Sequence, residues 1–216
     1  MLQLTPTPAQ IDLYAKYGSS GVAPIYGAGC LHKPRLMLVF MNPTGRNVSS
    51  IPTWPGLRAP WLGIKKTWVM LATLGLIDAK AIDPIRYIKP AAWTPEQAHA
   101  LYAHVAAEGL YITNLAACTQ PDARHLPDRV FKDYLPTFMA EVQAVQPQHI
   151  VTFGNQVSSV VLQRLISVSQ YQGYQYEELC LHGQAYRVYP TWYPVGQGQR
   201  NITKAIARLQ AIINNA

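Results

Sequence analysis

The chain has 216 residues, 49% of them hydrophobic, enough for one large domain with its own core. No apolar run approaches the roughly 20 residues that span a bilayer, and the N-terminal stretch MLQLTPTP lacks the basic and apolar regions of a secretory signal, so a soluble, cytoplasmic monomer without a membrane partner is expected. Eighteen Lys and Arg against 11 Asp and Glu give a net charge of +7, which favours phosphate-bearing partners through counterion release.

In chain order, Thr7 and Pro8 open a short helix that Gly18 closes. Residues 22–29 lead on as loop or edge strand, so that residues 1–34 form an N-terminal helix and lead-in. Residues 36–41 are six consecutive apolar residues, too short for a typical helix and suited to a strand buried on both faces. Asn42-Pro43 stops that strand, and Thr44, Gly45, Arg46 and Asn47 supply turn chemistry. A long loop, residues 51–63, follows and carries Trp54 and Trp61; loops of this length are usually functional or disordered, and two tryptophans argue against disorder.

Residues 64–77 read as an amphipathic helix with Trp68, Leu71, Ala72 and Gly75 on one face, and residues 79–93 carry no clear signal. Thr94-Pro95-Glu96-Gln97 has the cap and first-turn proline of a helix reaching Ala107. Residues 109–115 form a second buried strand that again ends near an asparagine, Asn114. A helix over 130–145, a strand over His149–Phe153, a tight turn at Gly154 and a helix over 156–166 come next. Residues 167–182, polar and rich in tyrosine, read as a surface insertion. A fourth strand over 185–191 then runs into W-Y-P-V-G-Q-G-Q-R-N, and a helix over 202–214 closes the chain.

Strands alternating with helices predict an α/β fold, a three-layer α/β/α sandwich around a mostly parallel four-stranded sheet in one domain over residues 1–216. In such a sheet ligands bind outside the carboxyl ends of the strands. The loops that start at Asn42, Asn114 and Trp192 would then share one rim. Cys30, Cys118 and Cys180 are odd in number and widely spaced, and His125, His149 and His182 are scattered singly, so neither a disulfide framework nor a metal site is expected.

These loops carry a resemblance. From about Ala23 to Asn214 the chain resembles the uracil-DNA glycosylase superfamily. The strand ending in Phe40-Met41-Asn42-Pro43 resembles the first motif of the mismatch-specific and single-strand-selective branches. Arg58-Ala59-Pro60-Trp61-Leu62-Gly63 resembles the G-R-P-F-V-G segment of the thermostable, iron–sulfur-containing branch, and Tyr111-Ile112-Thr113-Asn114 resembles that branch's base-reading strand. Val151-Thr152-Phe153-Gly154 resembles its L-L-G turn, and Pro190-Thr191-Trp192-Tyr193-Pro194 its P-T-Y-H-P. The cluster cysteines are not reproduced, so no iron–sulfur cluster or other cofactor is expected, and Tyr193 stands at the usual histidine position.

The resemblance implies a DNA partner containing uracil or a damaged base, and base excision repair by hydrolysis of the N-glycosidic bond after base flipping. Asn42 would position the attacking water, or else simply make an Asn-Pro turn. Trp61 would stack on the base or plug its loop onto the core, with Trp54 as a substitute platform, and Phe40 and Met41 would also border the base. Asn114 would read the base or be a turn-forming strand end. Tyr193 would donate to the departing base or merely pack. Arg46, Gly196, Gln197, Gly198, Gln199, Arg200 and Lys204 would contact DNA, with Gln197 or Gln199 as a wedge into the duplex. A non-catalytic nucleic-acid binder and a hydrolase of free nucleosides or nucleotides are the alternatives on the same fold.

Overall fold

The computed structural model describes residues 1–215, with the surroundings of Gly196 and the side chain of Gln197 left out of the description. Four strands expected from the sequence form the parallel heart of the sheet: β2 (Leu36–Phe40), β3 (Leu110–Asn114), β4 (His149–Phe153) and β6 (Gln184–Thr191). Two antiparallel edge strands, β1 (Ala28–Gly29) and β5 (Glu177–Leu181), complete a six-stranded sheet in the order β1-β3-β2-β4-β6-β5. The four-strand expectation is thus corrected at both edges. The shorter edge, β1, is only two residues long. The other lies inside the supposed surface insertion, where residues 177–181 pair with β6 from Leu181↔Gln184 to Glu177↔Val188.

Every residue of β2 and β3 is buried, as expected of strands covered by helices on both faces. Leu36, Leu38 and Phe40 face one layer, made of α2 (Lys65–Thr73), α3 (Ala79–Ile82), α4 (Pro95–Ala107) and α7 (Ile202–Ile213). Met37 and Val39 face the other, made chiefly of α5 (Asp128–Val145) and α6 (Asn155–Val161), with α1 (Pro8–Tyr17) packed on α5. The chain leaves β2 toward the first layer and β4 toward the second. Adjacent strands whose exits diverge open a crevice at their carboxyl ends, which is where such sheets bind ligands.

Helix ends follow local chemistry. Thr7 with Gln10 and Thr94 with Gln97 form capping boxes that start α1 and α4 where the sequence predicts. The expected helix over 64–77 is shorter, because Gly75 adopts φ +67° and the N–H groups of Gly75 and Leu76 bond Ala72 and Leu71 carbonyls in a Schellman closure. The helix expected over 156–166 stops at Val161 by the same device, with Gln163 at φ +52° in the glycine's place.

Candidate active site at the strand ends

The register of the sheet sets three side chains at one level. Phe40 pairs with Asn114 across β2 and β3, and Phe153 ends β4 on the other side of β2. Side chains alternate along a strand, so Asn114 shares the face of Ile112, and Phe40 and Phe153 share it too. The Phe40 and Phe153 rings stack with centroids 4.3 Å apart. Trp61 meets Phe40 edge-on at 4.7 Å, and Tyr193 meets it edge-on at 6.0 Å. Phe40 is fully enclosed, so it is the floor of this cluster rather than an open stacking surface.

Trp61 is held from two sides. Its backbone sits in the left-handed region at φ +64°, a conformation that costs a bulky L-residue about 1–2 kcal/mol. Asn47 Oδ1 accepts the Trp61 N–H at 2.6 Å, and Trp68 Nε1 donates to the Trp61 carbonyl at 2.9 Å. Asn47 Nδ2 also donates to Thr44 O, tying the turn after β2 to the tryptophan. The buried Asn47 was not singled out from sequence, where it reads as one more polar turn residue. Trp54, the alternative platform, spends its Nε1–H on Leu57 O within its own loop.

Tyr193 is carried on the exit of β6. Its ring lies over Gly154, whose φ of +89° lets the chain turn from β4 into α6, and a Cβ on Gly198 would collide with the Tyr193 carbonyl. Burial pushes the Tyr193 phenol well above its ordinary value, so it stays a protonated hydrogen-bond donor throughout the neutral range.

Asn42 lies two residues beyond Phe40, half-buried, with Nδ2 donating to Pro43 O at 3.1 Å and its Oδ1 the side chain's acceptor. Phe40, Trp61, Asn114 and Tyr193 are therefore brought together, with Asn42 at the same strand end. Met41 is not among them: strand alternation sends its side chain into the opposite apolar layer, which corrects its assignment to the base pocket. Arg46, Gln199, Arg200 and Lys204 are exposed on this rim. Lys66 Nζ, unremarked in the sequence, donates to Gln199 Oε1 at 3.2 Å, and Lys204 Nζ sits 4.8 Å from the Trp192 ring centre. The expected DNA contacts of Gly196 and Gln197 lie outside what is described of those two residues.

Behind β3, Glu141 of α5 is buried with Oε1 accepting from Tyr111 Oη at 2.7 Å and Thr113 Oγ1 at 2.8 Å. Burial pushes its carboxyl up to about 7, against the opposing pull of those two bonds. Gly27 leaves no room there for a Cβ, which would run into Glu141 and Tyr111. Among the described residues, no three His, Cys, Asp or Glu side chains gather into a metal-sized group, and no helix is long and apolar enough to cross a membrane.

The family model described as the uracil DNA glycosylase superfamily matches residues 69–215, more than half of the chain. The matched segment contains Asn114 and Tyr193, whereas Asn42 and Trp61 precede it. No curated protein matches the chain. The extent of the family match, together with an α/β sheet whose strand ends hold the aromatic cluster, establishes that the chain belongs to the uracil DNA glycosylase superfamily.

Proposed function

We propose that this protein is a DNA glycosylase that hydrolyses the N-glycosidic bond of uracil or a related damaged base. The observation that carries the reading is the placement of Asn114, with an unpaired buried amide Nδ2, in register with Phe40 and its ring of Trp61, Phe153 and Tyr193. A single base rotated out of the stack is flat, apolar on its faces and polar on its edges. An aromatic surround with one amide at its side is complementary to such an object. Stacking on an aromatic ring contributes about 1–3 kcal/mol per base.

Asn114 offers a donor and an acceptor side by side, matching uracil O4 and N3–H, where cytosine presents the reverse pattern. Asn42 Oδ1 holds the water. Its amide is no strong base, so the C1′–N1 bond breaks first, the electron pair leaving with the base. Water then bonds C1′ of the oxocarbenium-like sugar, and its proton ends on the departed base. Tyr193, a neutral phenol, donates toward O2 as negative charge develops there. Exposed Arg46, Arg200 and Lys204 supply cations for the flanking phosphates.

Incubation with uracil-containing single- and double-stranded oligonucleotides is expected to yield alkali-cleavable abasic sites. Steeply salt-dependent DNA binding with no product from any damaged base would instead identify a non-catalytic binder. Comparable turnover of free deoxyuridine would point to a nucleoside hydrolase. Within the glycosylase reading, Tyr193→Phe keeps the ring over Gly154 and removes the donor, so kcat should fall about 10²–10³-fold with KM little changed. Single-turnover rates of this variant beside Tyr193→His check the assignment; an unchanged rate in the phenylalanine variant would reduce Tyr193 to packing.

A further inference from the structure

Trp61 keeps a backbone conformation that a bulky L-residue disfavours, and a φ of +64° persists there only if the surroundings fix it. On the N–H side the fixing contact comes from Asn47, 14 residues earlier and 4% exposed. Both ends of this one amide are used: Oδ1 accepts the Trp61 N–H at 2.6 Å, and Nδ2 donates to Thr44 O at 2.9 Å. Asn47 is itself anchored, since its backbone N–H donates to Thr44 O and its carbonyl accepts from the N–H and the hydroxyl of Ser50. The path of the intervening loop has a separate support. Arg58 donates to the carbonyls of Ser49, Ile51, Pro52 and Trp54. The Asn47 amide therefore acts on Trp61 rather than on the loop as a whole. A backbone held at one φ sets the direction in which Cβ leaves, and at Trp61 the ring so directed meets Phe40 edge-on at 4.7 Å.

We infer that Asn47 is a positioning residue: it ties Trp61 to the turn that begins at Asn42 and so keeps the tryptophan ring at a fixed place relative to the end of β2. The consequence for catalysis rests on the glycosylase reading. A base stacked on a displaced ring presents its glycosidic bond at the wrong distance from the group that holds the water, and a displacement of about 1 Å can cost on the order of 10²-fold in rate. Asn47 acts through Trp61 and not by contact with the base. Without its Oδ1 acceptor the Trp61 N–H has no partner to keep it in the left-handed region, and rotation about N–Cα toward an ordinary negative φ turns Cβ in a new direction.

The test is a double-mutant cycle of Asn47→Ala with Trp61→Gly. Glycine adopts positive φ freely, so position 61 then needs no holder, and it carries no ring to place. Asn47→Ala alone should slow single-turnover excision of uracil from an oligonucleotide about tenfold, the scale of one lost hydrogen bond. In the Trp61→Gly background the same substitution should change the rate less than about twofold. An equal loss in both backgrounds would overturn the inference and leave Asn47 a residue of the Thr44 turn. A second readout needs no turnover. The Trp61 indole N–H is buried, and its resonance, assigned by its absence in Trp61→Gly, should exchange with solvent about tenfold faster in Asn47→Ala while the other indoles keep their rates. Uracil excision by the wild-type chain together with unchanged Trp61 exchange in Asn47→Ala would overturn the role of Asn47 while the glycosylase reading stands. Faster Trp61 exchange with no excision by the wild-type chain would overturn the glycosylase reading and leave the hold of Asn47 on Trp61 in place.

Discussion

Asn42→Ala is expected to lose base excision by about 10²-fold or more while the fold and DNA affinity persist. The side chain is half-buried and makes one hydrogen bond, to the carbonyl of the next residue, whose loss costs about 1 kcal/mol. The turn it begins does not depend on that bond. Gln120 N–H donates to Pro43 O at 3.0 Å, Gly45 N–H returns to Gln120 O at 2.7 Å, and Asn47 closes on Thr44. Truncation therefore removes the Oδ1 acceptor proposed to hold the water and little else. Positioned groups that handle the attacking water typically contribute about 10²–10⁴-fold. Single-turnover excision with saturating enzyme isolates the chemical step, and fluorescence anisotropy on the same oligonucleotide reports binding. Full activity in Asn42→Ala would remove Asn42 from the mechanism and return it to turn formation.

The rim holding Asn42 was legible in the sequence because its signals are local. A six-residue apolar run ended by Asn-Pro, and shorter apolar stretches ended by Asn and Gly, marked the central strands, and the Thr-Pro-x-Gln pattern marked two helix starts with both caps formed. Where a backbone device lacks its usual residue, the signal fails: Gly75 announces the end of α2, but Gln163 performs the same left-handed closure of α6 with nothing in its identity to show it. β5 was hidden differently. Only Leu179 among its residues is buried, so it lacks an apolar run, and its pairing with β6 is a tertiary fact. Arg208, buried on α7, donates to the Gln172, Gly173 and Gln175 carbonyls and so fixes the approach to that strand. In the site, strand ends could be located but not the two-residue alternation that separates Phe40 from Met41. Asn47 could be read only as a turn residue and Glu141 not at all, because the Trp61 and Tyr111 partners that give them their roles lie 14 or more residues away.

Replacing Glu141 with glutamine is expected to raise stability at pH 8 and to abolish a decline in stability that the wild-type chain shows between about pH 4.5 and 7. The carboxyl is enclosed between α5 and β3, and none of the ion pairs among the described residues includes it. Its folded-state value is pushed up from the ordinary 4.5 to about 7, with desolvation the larger cause and the Tyr111 and Thr113 bonds opposing it. Below pH 4.5 the group is protonated whether the chain is folded or not, and burial carries no ionic cost. Between 4.5 and 7 the unfolded chain releases this proton while the folded chain retains it, so stability falls by up to about 1.4 kcal/mol per pH unit. Above 7 both states are ionised and the loss levels off, on the order of 3 kcal/mol in all. Glutamine mimics the protonated acid: its Oε1 can accept both existing bonds, since Tyr111 and Thr113 converge on that one oxygen, and it never ionises. Wild type and variant should therefore melt alike near pH 4.5 and diverge by about 5–10 °C at pH 8. Parallel Tm profiles would show that the carboxylate is hydrated or otherwise compensated. Divergence would mean that β3, the strand that ends at Asn114, is clamped from behind by a group that prefers its proton, and base excision should then be least impaired by Glu141→Gln on the acid side of neutrality, where wild type and variant present the same neutral side chain to Thr113.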